Sequence, residues 1–80
     1  MMTYFVTFHT HLSALLTARA MQTAGIPAKM MPVPRKLSSS CGTCIRYASA
    51  EPELARLDAD FEAVYRLEPD GGYAKIAENV

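Results

Sequence analysis

Ser49-Ala50-Glu51-Pro52-Glu53-Leu54-Ala55-Arg56-Leu57-Asp58-Ala59-Asp60 is the segment on which the architecture turns. It reads as a short helix. Ser49 can cap it, Pro52 is tolerated in its first turn, and Glu51 and Glu53 suit the positive end of the helix dipole. Leu54 and Leu57, three apart, then face a core. Immediately upstream, Thr43 to Ala48 alternates Ile45 and Tyr47 against Cys44 and Arg46, the period of a strand. Immediately downstream, Phe61 to Leu67 reads as another strand.

Further out, Thr3 to Phe8 is a strand of aromatic and β-branched residues. Thr10 caps a helix over Leu12 to Ala24, which Gly25 and Pro27 terminate. Leu12, Leu15, Leu16 and Ala20 share the face expected to meet the core, with Arg19 and Gln22 left for water. Pro27 to Val33 is a second strand. It contains Pro27 and Pro32, and Pro34 follows, so the missing amide donors place it on a sheet edge. Arg35 to Gly42 is a polar loop, and Asp70-Gly71-Gly72 turns the chain into a tail.

The order β-α-β-β-α-β predicts an α+β fold of the ferredoxin-like, split β-α-β type: a four-stranded antiparallel sheet with two helices on one face. The first and third strands would be central, the second and fourth edges. Residues 1–69 would form one domain. Residues 70–80 would be a C-terminal tail, mobile or a brief helix. In this topology His9 and His11 emerge at the same end of the sheet as the loop from Arg35 to Cys44, and Cys44 lies beside the end of the first strand.

At 80 residues, of which 50% are hydrophobic, the chain suffices for one compact core and is too apolar for disorder. The 8 basic residues balance the 8 acidic ones, which speaks against a general nucleic-acid binder or a polybasic membrane anchor and leaves a homodimer open. No apolar run approaches the roughly 20 residues that span a bilayer, and Met1-Met2-Thr3-Tyr4-Phe5-Val6 lacks the features of a secretory leader. The expected location is the cytoplasm, where thiols stay reduced.

The chemistry concentrates in Ser38-Ser39-Ser40-Cys41-Gly42-Thr43-Cys44. A C-x-x-C pair serves redox exchange or metal binding, but here it opens a strand, so no helix N-terminus is available to activate it. Hydroxyls and amides of Ser39 and Ser40 can hydrogen-bond a thiolate, and Arg35, Lys36 and Arg46 can stabilise it by charge. Gly42 permits positive φ. Cys41 is the candidate reactive thiol, because a loop cysteine flanked by serines and glycine packs little. Cys44 reads first as a small hydrophobe on a strand.

Tyr4-Phe5-Val6-Thr7-Phe8-His9, Ala24-Gly25-Ile26-Pro27 and, above all, Pro32-Val33-Pro34-Arg35-Lys36-Leu37-Ser38-Ser39-Ser40-Cys41-Gly42 resemble the selenium/sulfur carrier-like family of small bacterial proteins. Ile45-Arg46-Tyr47 and Val64-Tyr65-Arg66-Leu67 fit as well. The resemblance implies a carrier rather than an enzyme, with no cofactor. Cys41 would hold a persulfide or perselenide, Arg35 its terminal anion, and Ser39, Ser40, Gly42, Arg46 and His9 would surround it. A cysteine desulfurase or another sulfur- or selenium-transfer protein would be the partner. The two-residue spacing further suggests Cys44 as a resolving thiol that releases the cargo and leaves a disulfide.

Two other readings stand beside it. Cys41, Cys44, His9 and His11 have the stoichiometry of a zinc or copper module, although H-x-H before C-x-x-C is not a familiar zinc spacing. A non-catalytic interaction or dimerisation domain could use Met21, Met30, Met31 and the edge strands. Asp58, Asp60, Glu62 and Glu68 read as a solvated acidic face.

Overall fold

The computed structural model describes residues 1–79; Val80 lies outside them. The elements are β1 (Met2–Phe8), α1 (His11–Thr23), β2 (Ala28–Pro32), β3 (Thr43–Ser49), a 3-10 turn (Leu54–Arg56), β4 (Phe61–Leu67) and β5 (Tyr73–Glu78). They form one five-stranded sheet in the order β2-β3-β1-β4-β5, antiparallel at every pairing. Strand β2 is on the edge, where the missing amide donor of Pro32 is tolerated. Among the described residues no helix is long and apolar enough to cross a membrane.

The expected ferredoxin-like fold, with four strands and two helices, is overturned at two places. The first is the segment from Ser49 to Asp60. Only Leu54–Arg56 closes, as a single 3-10 turn. Helix propagation from Ser49 is defeated by local polar bonds that compete with it. Ser49 Oγ accepts the Glu51 amide at 3.5 Å and donates to Glu53 Oε2 at 2.7 Å, which ties the segment into a local polar turn. The Tyr47 hydroxyl donates to the Pro52 carbonyl, and Glu53 takes a left-handed φ of 58°. Three residues of turn do not repay helix nucleation. Leu54 stays exposed, while Leu57 packs at the margin of the core.

The second is the C-terminus. Residues 73–78, expected as a mobile tail or helical turn, form β5 against β4, so β4 is internal and β5 is the edge. Asp70-Gly71-Gly72 is a hairpin turn. Gly71 adopts φ 87°, Gly71 N–H donates to Glu68 O at 2.9 Å, and Glu68 N–H donates to Gly72 O at 2.8 Å. Positive φ at the turn is what glycine supplies without steric cost. Tyr73 then meets Phe5 edge-on at 5.3 Å between ring centroids, and Lys75 lies 5.9 Å over the Tyr65 ring.

Helix α1 starts as read. Thr10 Oγ1 accepts the Ser13 amide at 3.2 Å. Arg19 and Gln22 face water as expected, but the leucines do not face the core. Ser13, Ala14, Thr17 and Met21 are buried, whereas Leu12, Leu15 and Leu16 are 61%, 36% and 45% exposed. The sheet face beneath carries Tyr4, Val6, Phe8, Ile45, Tyr47 and Val64, including a Tyr4–Tyr47 stack at 5.3 Å. Those bulky side chains fill the layer, so the helix approaches through the small residues Ser13, Ala14 and Thr17, with Met21 entering the core at its far end. The two buried hydroxyls are satisfied: Ser13 Oγ donates to Asp60 Oδ2 at 2.7 Å, and Thr17 Oγ1 accepts the Asp58 amide at 2.9 Å. Side chains alternate across β1, so Phe5 and Thr7 are buried on the opposite face, with Cys44 and Ala63 beside them in register.

Candidate functional site

The connection 33–42 leaves β2 and returns along β3, beside the end of β1. Its base is closed by Val33 N–H donating to Gly42 O at 3.1 Å, with Gly42 at φ 73°. Leu37 N–H donates to Pro34 O at 2.9 Å, which puts Arg35 and Lys36 in an exposed turn. The other half of the loop is bonded to the sheet. Ser39 Oγ donates to Phe8 O at 2.9 Å. Ser40 donates its amide to Glu62 Oε1 at 3.0 Å and its hydroxyl to Glu62 Oε2 at 2.9 Å.

Cys41 follows these two serines. Its side chain is half-buried at the margin of the core, its S–H donates to Thr43 O at 3.5 Å, and Ser39 Oγ lies 3.8 Å from Sγ. Cys44, three residues on, lies on β3 opposite Thr7 and is fully buried. Its S–H is directed to Pro32 O at 3.8 Å. Burial, reinforced by the neighbouring Cys41 thiol, pushes the Cys44 thiol up from 9.0 to about 11. Both cysteines are free thiols.

The remaining predicted residues are distributed around this loop. His9 Nδ1 lies 3.5 Å from Glu62 Oε2, and His11 Nδ1 hydrogen-bonds Thr43 Oγ1 at 3.4 Å. The histidines therefore lie around the Cys41 loop but are engaged separately, and Cys44 is buried in the sheet away from solvent. Among the described residues no three His, Cys, Asp or Glu side chains gather in a group that could hold a metal ion, Cys41, Cys44, His9 and His11 included. Arg35 is exposed at the turn. Arg46 is exposed on β3, opposite Phe5 and Lys29. Neither bonds the Cys41 thiol among the described residues.

Glu62, read from the sequence as part of a solvated acidic face, is instead half-buried and bonded to the loop through Ser40. Burial alone would push its carboxyl up, but the Ser40 amide and hydroxyl, Ser39 and the His9 charge outweigh that and hold it below the usual carboxylate range. Its place comes from strand register: β1 pairs Phe8 with Phe61 and Thr7 with Ala63, across an irregularity, leaving Glu62 at the loop. Asp60 serves α1 in a similar way, accepting from Ser13 and, at 3.2 Å, from Thr10.

No curated protein and no solved structure matches this chain. One family does, described as "Putative Se/S carrier protein-like", and the match runs over residues 3–65. That span holds all but the first residue of β1, most of β4 and everything between, the whole Cys41 loop included, and it is well over half of the chain. The chain belongs to this Se/S carrier protein-like family.

Proposed function

We propose that the protein carries one sulfur or selenium atom on Cys41 and passes it to a partner protein. The observation that supports this reading is the contrast between the two thiols: Cys41 is half-buried in a surface loop with polar groups around Sγ, whereas Cys44 is fully buried in the sheet. Family membership points the same way.

The chemistry is a sulfane-sulfur exchange. The Cys41 thiolate attacks the outer sulfur of a donor persulfide, R–S–S–H. A new S–S bond forms on Cys41, the donor S–S bond breaks, and its electron pair leaves with R–S⁻. The product, Cys41–S–S–H, yields its outer sulfur to an acceptor thiolate by the same step and returns as the Cys41 thiolate. No external oxidant or reductant is consumed, and selenium follows the same course as a perselenide. The donor of such an atom is a cysteine desulfurase or another sulfur- or selenium-transfer protein. Cys44 acts in this scheme as a packing residue: its raised thiol and its burial disfavour the thiolate that resolution requires.

The test is intact mass under non-reducing conditions after exposure to a low-molecular-weight persulfide. A thiol-labile addition of one sulfur atom is expected on the wild type and on Cys44→Ser, and none on Cys41→Ser. An unmodified wild type, or an adduct that survives Cys41→Ser, overturns the proposal.

A further inference from the structure

Glu62 lies on β4, outside the loop that bears Cys41, yet each of its carboxylate oxygens holds a different group of Ser40. Ser39 is pinned separately to the Phe8 carbonyl. The two residues that precede Cys41 are thereby anchored to two neighbouring strands, β4 and β1. Beyond them the Cys41 S–H turns to Thr43 O and the side chain packs at the core margin. Surface loops are ordinarily the mobile part of a domain, and charge-assisted hydrogen bonds are the strong ones available to restrain them.

We infer that Glu62 is a positioning residue: it clamps the loop through Ser40, limits access of small electrophiles to Cys41 Sγ, and protects an atom bound there from exchange. The last clause rests on the carrier reading; the first two do not. His9, from the turn between β1 and α1, faces the carboxylate at 3.5 Å. Tyr65 on β4 and Lys75 and Glu78 on β5 line the same hollow, and Lys75 Nζ is paired with Glu78 at 3.3 Å. The carboxylate therefore faces the His9 ring as well as Ser40, while Lys75 is engaged with Glu78.

The rate of Cys41 alkylation by iodoacetamide, with the site read by mass spectrometry, tests the clamp without any sulfur chemistry. Glu62→Ala should speed it by roughly tenfold, the effect of losing an ordinary charge-assisted hydrogen bond. Amide hydrogen exchange at Ser40 should rise with it, while Cys44 stays unlabelled. Glu62→Gln removes the same charge but keeps an acceptor for the Ser40 amide, so it should fall between wild type and Glu62→Ala. Ser40→Ala keeps the charge and should also be intermediate.

Equal rates for the Gln and Ala variants would reduce the effect to charge on the thiol and overturn the clamp. Wild-type rates in a natively folded Glu62→Ala would do the same. If Glu62→Ala does not fold, Ser40→Ala and Glu62→Gln decide by the same comparison with wild type. Once a persulfide is loaded, its half-life should be shorter in Glu62→Gln than in wild type, and an unchanged half-life would overturn the protective role. If wild-type Cys41 takes up no sulfur, the carrier reading fails by itself and the alkylation rates still judge the clamp.

Discussion

Thr17 Oγ1 accepts the Asp58 amide at 2.9 Å, from the buried face of α1 to the irregular connector before β4. This one bond explains why a threonine is buried there and how a connector without a helix is held down. Replacing Thr17 with valine keeps the shape and leaves the partly buried Asp58 amide without its acceptor. The expected loss is about 1–3 kcal/mol in urea or thermal unfolding. A neutral outcome would mean that the connector is not fastened through α1.

The buried face of α1 makes its own prediction. Leu12→Gln and Leu16→Gln should change stability by no more than about 0.5 kcal/mol, the usual range for exposed positions. Met21→Ala, at a fully buried site, should cost about 2–5 kcal/mol. The ordinary amphipathic reading of this helix requires large losses at the leucines, so denaturant midpoints of these three variants separate the two orientations.

The thiols should differ in labelling and in pH response. In native protein iodoacetamide should modify Cys41 and spare Cys44; equal modification would contradict the burial of Cys44. The folded state holds the Cys44 proton more tightly than the unfolded chain, about 11 against 9.0. The stability this contributes is fully present below pH 9.0 and is lost as pH rises through about 11. Tyr47 is shifted upward too, chiefly by burial, and adds to the same alkaline loss. Urea unfolding at rising pH should therefore show a shallower decline in Cys44→Ala than in wild type.

At the acid end the sign is opposite. Glu62 and Asp60 are held below their ordinary values, Asp60 chiefly by the hydrogen bond from Ser13 and Glu62 by Ser40 against the cost of its burial. Their contribution is present above the unfolded values of 3.8 for Asp60 and 4.5 for Glu62, and it is lost as pH falls through the folded ones. Glu62→Gln should flatten the acid limb of the stability curve. An unchanged limb would show that the carboxylate gains nothing from Ser40.

The hairpin after β4 depends on Gly71 at φ 87°, where an added Cβ meets no atom within 4 Å. Gly71→Ala should thus cost stability through backbone strain alone, about 1 kcal/mol. Gly25→Ala, at φ 74° and equally open, should behave alike, and thermal unfolding of both checks the common cause.

By itself the sequence determined what local chemistry controls. The aromatic and β-branched run became β1, Thr10 capped α1, the prolines kept β2 on an edge, and the loop of serines put Cys41 at the surface end of the sheet. It also carried the family, through the proline-arginine loop and the segments around it. The tertiary structure decided what depends on partners distant in the chain. Whether Ser49 to Asp60 forms a helix turned on bonds to Tyr47 and Thr17 rather than on its own propensity. Which face of α1 is buried turned on the ring-filled sheet beneath it and on Asp58 and Asp60, which satisfy its hydroxyls. Tyr73 to Glu78 became a strand because β4 offered an edge and Phe5 a surface to cover. Glu62 reached Ser40 only through strand register, since residues distant in the chain meet only when pairing across the sheet brings them together.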